Sequence, residues 1–217
     1  MKASQAQGTK SIETGRARTG PSMWHFAWWS ILLGLVMEAL LLAVRANPFS
    51  SLQPVAEASG KVTWALMVCL GVALGKVLSS DKPLWVGFSG LTSAPVAFTA
   101  AQGVQKAVGQ LLSLGGAVAA ATVAVAAVRG VEYMCLGTAL AVIARRSPAG
   151  PRLHLLAGLL TGLVFGGLIM LLTPATRAST AAVLSWGVNE LVFPMGCAFV
   201  LYVGAAYSQR SQAAPAK

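Results

Sequence analysis

The chain has 217 residues, 56% of them hydrophobic and only 10% charged, and its mean hydropathy is +0.69. This composition excludes a disordered chain, a soluble basic nucleic-acid-binding domain and a small disulfide-bonded scaffold. The net charge of +10 comes from 16 Lys and Arg against 6 Asp and Glu. Most of these charged residues lie at the ends of long apolar blocks. The pattern is typical of an all-α integral membrane protein, with the lipid bilayer as a partner and no nucleic acid.

Residues 1–22, at the start of the sequence, are rich in Ser, Thr, Gly, Lys and Arg. This composition predicts a disordered cytoplasmic tail. Residues 23–208 form the predicted transmembrane domain, and 209–217 form a second cytoplasmic tail. A helix needs about 20 apolar residues to cross about 30 Å of hydrocarbon. The clear blocks of this kind cover 24–44, 62–78, 84–101, 153–172 and 181–207.

Tryptophans lie near the starts of several of these blocks. Because amphipathic rings concentrate at the two membrane surfaces, we expect them to form aromatic belts there. The tryptophans concerned are Trp24, Trp28, Trp29, Trp64 and Trp85.

The remaining apolar run, 107–144, is too long for one ordinary span. At about 1.5 Å per residue it would reach about 57 Å. One interpretation is a single span at 121–144 after an interfacial or kinked segment, which gives six spans. The other is two spans joined by a turn at Arg129 and Gly130, which gives seven.

The distribution of Lys and Arg favours six spans, because these residues accumulate in short cytoplasmic loops. With six spans and a cytoplasmic N-terminus, most of the 16 face the cytoplasm, including Arg145, Arg146 and Arg152. Lys61 then opens the second span on the outer side. With seven spans the three arginines would face outward. We therefore predict a multi-pass protein of the cell membrane with both termini cytoplasmic.

The two halves of the chain show a weak, ordered self-similarity. ALLLAVRANP at 39–48 aligns with ALAVIARRSP at 139–148, and Pro95 aligns with Pro194. Because each half has three spans, two copies would lie in opposite orientations, as in the inverted repeats of many transporters. Chance alignment of apolar segments is the alternative. The predicted repeat units cover 23–104 and 121–208.

Two glycine pairs also align between the halves. Gly71 and Gly75 lie one helical turn apart, as do Gly162 and Gly166. Small residues at this spacing let helix backbones approach closely in lipid. We expect them to pack helices within the bundle, with a dimer seam as the alternative.

Ionisable residues inside the predicted spans are the main functional signal, because a charge in hydrocarbon is costly unless it faces protein or water. Counting about 1.5 Å per residue along each span places Glu38, Arg129, Glu132 and Glu190 in one layer. Arg129 and Glu132 are three residues apart and can pair on one helix face. Glu38 and Glu190 would then be neutralised by a shared proton, by Arg129 or by a bound cation.

Two prolines lie within predicted spans. Pro194 lacks the N–H that would bond the carbonyl of Glu190, so a kink would present that carbonyl beside Asn189 as part of a cation or proton site. Pro95 frees the carbonyl of Leu91 in the same way. The alternative is an Arg/Glu network that fixes helix register, with prolines that only kink helices.

The sequence indicates no metal site, no cofactor and no enzymatic activity. His25 and His154, the only histidines, lie near the predicted cytoplasmic surface, and no catalytic motif is present. Cys69, Cys135 and Cys197 are far apart in the chain, with no C-x-x-C pair, and we expect them to be isolated, small, buried residues.

These features predict a small transporter or channel subunit for a cation, a proton or a proton-coupled solute, acting through the Glu/Arg layer. The alternative is a non-transporting membrane scaffold or an accessory subunit of a larger membrane complex. A homo-oligomer, or a partner in a membrane complex, is compatible with either function.

Overall fold

The computed structural model describes residues 23–44, 51–78, 82–114, 123–146, 150–173 and 179–213, and these contain six α-helices and no strand. Each helix is long and apolar enough to span a membrane, which confirms the predicted six-helix bundle. Their bounds are α1 Met23–Val44, α2 Gln53–Leu78, α3 Pro83–Leu111, α4 Val123–Arg145, α5 Pro151–Leu172 and α6 Thr180–Ala213.

The choice between six and seven spans is settled by α4, which runs without a break through Arg129 and Gly130. The seven-span interpretation is therefore wrong. The predicted N-terminal tail at 1–22 lies outside the described residues. Helix α6 continues to Ala213, past the predicted start of the C-terminal tail at 209.

The helices form a closed ring in which each packs antiparallel to its sequence neighbours, and α1 packs against α6. Helices α2, α4 and α6 therefore run parallel to one another, and α2 and α4 both also contact α6 in the centre of the bundle. The start of α1 and the end of α6 lie at the same end, where the rings of His25 and Tyr207 stack 5.7 Å apart. We call this the terminal end and the opposite one the far end.

Close contacts at glycine join α2 to α3 and α5 to α6. At each glycine, an added Cβ would overlap an atom of the next helix, which is a side-chain atom at Gly71, Gly75 and Gly166 and a backbone oxygen at Gly162. The inverted repeat itself stays a prediction. The contacts are Gly71 with Ser93, Gly75 with Ser89, and Gly162 and Gly166 with Glu190.

The tryptophans divide between the surface and the interior. Trp24, Trp28 and Trp85 are exposed near the terminal end, as an aromatic belt requires. The prediction for Trp64 was wrong, because this side chain is buried in the core. The reason is that α2 begins at Gln53 and not at 62, so Trp64 lies deep within its helix.

Candidate functional site

Three of the four residues of the predicted charged layer come together between α4 and α6. Arg129 lies on α4, and its Nη1 donates a hydrogen bond of 2.9 Å to Oε2 of Glu132 on the same helix. Its Nη2 donates to Oε1 of Glu190 on α6, and Asn189 Nδ2 donates to the same oxygen at 3.1 Å. All three charged side chains are buried. We call Arg129, Glu132 and Glu190 the inner cluster.

An aromatic cluster contacts the guanidinium of Arg129 through Trp64. The ring of Trp64 lies 5.7 Å from its central carbon, close enough for a cation–π interaction. Trp64 in turn makes edge-to-face contacts with Phe98, Tyr133 and Phe193, at centroid distances of 5.9, 5.6 and 6.1 Å. Helices α2, α3, α4 and α6 therefore meet at one aromatic layer, which holds Arg129 in place.

Glu38 does not join the inner cluster, and here the sequence-based expectation was wrong. Its Oε2 accepts a hydrogen bond from Nζ of Lys61 at 2.5 Å, and Nζ lies 3.7 Å from Oε2 of Glu57. Lys61 was placed at the outer start of the second span, but it lies within α2, whose first turns include Glu57. We call Glu38, Glu57 and Lys61 the outer cluster.

A cleft at the far end of the bundle joins the two clusters. Its volume is about 220 Å³, and both basic side chains, Lys61 and Arg129, line it. Glu57 is the only carboxylate among its lining residues, whereas Glu132 and Glu190 lie behind Arg129. The other lining residues are Gly60, Trp64, Phe98, Ala101, Gln102, Gln105, Asn189 and Phe193.

Below the aromatic layer, toward the terminal end, the centre of the bundle is closely packed. Val68, Cys69, Leu136 and Cys197 are all fully buried there. The sulfur atoms of Cys69 and Cys197 lie 3.3 Å apart, so the expectation that the cysteines are isolated was wrong. The expectation was also wrong for Cys135, which is exposed on the outer face of α4. Sequence distance had hidden the contact, because α2 and α6 meet only in the folded bundle.

The two helix-breaking prolines lie within continuous helices. The carbonyl oxygen of Leu91, which Pro95 leaves without its helical partner, faces Gly130 on α4, where a Cβ would approach it to 3.0 Å. The carbonyl oxygen of Glu190 faces Gly162 on α5 in the same manner. Both freed carbonyls thus lie against neighbouring helices, and neither Leu91 nor Glu190 lines the cleft.

Several cleft residues were missed by sequence reasoning, although weak signals exist for them. Glu57 and Lys61 have the i, i+4 spacing of a helical ion pair, and Gln102 and Gln105 have i, i+3 spacing on α3. These polar pairs were assigned to segments outside the spans. Among the described residues, no three His, Cys, Asp or Glu side chains converge as a metal ion would need.

The chain was compared with protein-family models, with curated protein sequences and with solved structures, and nothing in any of them matches it. The function is therefore inferred from the geometry of the cleft and the two clusters.

Proposed function

We propose that the protein is a small transporter in which the inner cluster binds and releases a proton while a small solute occupies the cleft. The observation that carries this proposal is a buried cluster of two carboxyl groups and one guanidinium, whose cation lines a cleft open at the far end. Buried ionisable groups in membrane proteins are costly and mark proton or solute pathways.

The charge of the inner cluster supports a proton as one of the transported species. With both carboxyl groups ionised, Glu132 and Glu190 outnumber Arg129 and leave one negative charge in the interior. A proton on one carboxyl group cancels that charge without a second cation. One oxygen of each carboxyl group has no hydrogen-bond partner among the described residues, which leaves room for such a proton.

Glu190 is the carboxyl group that we propose exchanges its proton with water in the cleft. Its neighbour Asn189 and its partner Arg129 both line the cleft, and both bind its Oε1. Glu132 is equally buried, and its hydrogen bond among the described residues is with Arg129 alone. Glu190 therefore has a short route to water, and Glu132 serves to hold Arg129.

One-sided access also supports transport. The cleft opens at the far end, while the aromatic layer and the packed residues beneath it close the path to the terminal end. A site that opens to one side at a time is the basis of alternating access in secondary transporters. In this proposal the described structure is one of the two states.

The orientation follows from the charge distribution and stays part of the proposal. Most Lys and Arg lie in segments that flank the terminal end of the bundle, where the start of α1 and the end of α6 also lie. Because Lys and Arg accumulate on the cytoplasmic side, we propose cytoplasmic termini in the cell membrane and an external cleft. Lipid is the surrounding partner, and a second copy of the chain is a further candidate. A reporter fused after Lys217 should be active in the cytoplasm. Reporter activity outside the cell would mean that the cleft opens to the cytoplasm instead.

The transport proposal is tested in vesicles without assuming a substrate. Purified protein in liposomes is given an extract of small metabolites with an inward proton gradient, and the vesicle contents are measured by mass spectrometry. We expect at least one metabolite to accumulate, and an ionophore that dissipates the gradient to abolish its accumulation. The Glu190→Gln variant should lower that uptake about tenfold or more at unchanged folded yield.

The matched control is Lys106→Gln, which removes a charge from an exposed position on α3 outside the cleft lining. It should transport like the unaltered protein. If no metabolite accumulates in any vesicle, transport is contradicted. A non-transporting scaffold is then favoured, in which Arg129 and its two carboxylates fix the register of α4 and α6.

A further inference from the structure

The cleft has a chemical bias that the inner cluster alone does not reveal. Its lining carries two cations, Lys61 and Arg129, against one carboxylate, Glu57, which already contacts Lys61 and accepts a hydrogen bond from Gln53. Three side-chain amides, from Gln102, Gln105 and Asn189, add further donors. Behind this lining, Glu38, Glu132 and Glu190 neutralise the two cations, so the cleft holds a negatively charged group only together with a proton.

Arg129 keeps hydrogen-bonding capacity for such a group. Its Nη1 and Nη2 atoms bind Glu132 and Glu190, whereas its Nε atom is buried and has no partner among the described residues. An unmet N–H of a buried guanidinium is costly, and a carboxylate is its best-matched acceptor. Nε itself is buried, so a solute carboxylate in the cleft reaches it only when the guanidinium turns after Glu190 releases Nη2.

The walls of the cleft define the rest of the ligand. Trp64, Phe98 and Phe193 offer apolar ring surface beside the cations. The volume of the cleft is about 220 Å³. A small acid with a compact apolar or aromatic body fits this space, and large or multiply charged solutes do not.

We propose that the cleft binds a small organic monocarboxylate with an apolar or aromatic body, whose carboxylate is held by Lys61 and Arg129. This inference rests on the proposed transport function and names its substrate class. A proton from the solution binds the Glu190 carboxylate, which weakens the bond to Nη2 of Arg129. The solute carboxylate then takes that donor. One proton and one anion enter together, so the net charge of the site is unchanged.

The test measures binding separately from transport. Benzoate is titrated by calorimetry into the protein in nanodiscs of phosphatidylcholine, with benzamide and benzylamine as neutral and cationic probes of the same shape. We expect benzoate to bind more tightly at pH 5.5 than at pH 8, and the other two to bind at least about tenfold more weakly. Equal binding of benzamide or benzylamine would overturn the assignment of an anion site.

Two variants and a matched control locate the site. Lys61→Gln should weaken benzoate binding about tenfold or more, and Lys106→Gln should leave it unchanged. If Lys61→Gln folds poorly, the double variant Glu38→Gln with Lys61→Gln removes the ion pair as a unit and should show the same loss. Benzoate affinity that is unchanged in a folded double variant would contradict the proposal.

An anionic lipid head group shares the chemistry of a carboxylate, and a second nanodisc distinguishes the two. If added phosphatidylglycerol abolishes benzoate binding, the cleft is a lipid site and the solute assignment fails. Failure of the two proposals is also separable. Metabolite uptake without benzoate binding would overturn only the substrate class, whereas benzoate binding without any proton-dependent uptake would overturn only transport.

Discussion

The inner and outer clusters contain the same kinds of group in different surroundings. Each brings two carboxyl groups to one cation, and each joins two helices. In the inner cluster the side chains of Glu132 and Glu190 are 0% and 2% exposed. In the outer cluster, Glu57 and Lys61 are 15% and 16% exposed, and Glu38 is 5% exposed.

This difference decides what each cluster can do. A fully desolvated ion pair is held rigidly, because breaking it leaves a charge in the interior with no water to replace the partner. A pair at the edge of a cleft exchanges partners more easily, because water and ligands reach it. We therefore assign proton binding and rigidity to the inner cluster, and ligand recognition to Lys61 of the outer cluster together with the cleft-facing side of Arg129.

The largest expected effect comes from a variant that breaks the inner cluster. Arg129→Gln leaves two buried carboxylates without their cation and should lower the free energy of unfolding by about 3–5 kcal/mol. The measurement is reversible unfolding in detergent, followed by circular dichroism. Arg152→Gln, at an exposed position on α5, is the control and should change it little. An Arg129→Gln variant as stable as this control would contradict the structural role of the guanidinium.

A smaller effect should follow from separating α5 from α6. In Gly162→Ala the new methyl group meets the backbone oxygen of Glu190 and lies 3.2 Å from Leu191 Cα. Backbone atoms cannot rotate away, so we expect a loss of about 1–3 kcal/mol and a displaced Glu190. Gly167→Ala, on the same helix with nothing within 4 Å of an added Cβ, is the matched control. Equal stability of the two variants would contradict the close α5–α6 contact.

The smallest expected effect is the coupling energy of the ion pair in the outer cluster. A double-mutant cycle of Glu38→Gln and Lys61→Gln should give a coupling energy of about 1 kcal/mol. This value lies below the cost of Arg129→Gln because the Lys61 side chain is partly exposed. The coupling should also fall as salt is raised, because the cleft admits ions. A coupling of 3 to 5 kcal/mol, about as large as that of a dry pair, would remove the distinction between the clusters.

The parts of the structure that follow from local sequence could be predicted. Five of the six spans followed from the lengths of apolar blocks, and the Arg129–Glu132 contact from a spacing of three residues on one helix face. Depth counting also placed Glu190 at the height of Arg129. These inferences need only helix geometry and the thickness of a bilayer.

The outer cluster could not be predicted, because hydropathy treats a charge as the end of a span. Lys61 is tolerated inside α2 because Glu38, on another helix, lies 2.5 Å away. Trp64 was misplaced for the same reason, since the true start of α2 moves it from the surface to the core. Contacts between helices determine where Lys61 and Trp64 lie, and the residue pattern of one helix gives no information about those contacts.

The contact between Cys69 and Cys197 has a consequence for observing motion. Both thiols are shielded where α2 and α6 touch, beneath the aromatic layer. If the bundle opens toward its terminal end, these two helices must part and expose both sulfur atoms to solvent. In a protein whose Cys135 has been replaced by Ala, the rate of alkylation by a water-soluble maleimide would therefore measure how often the bundle opens toward its terminal end.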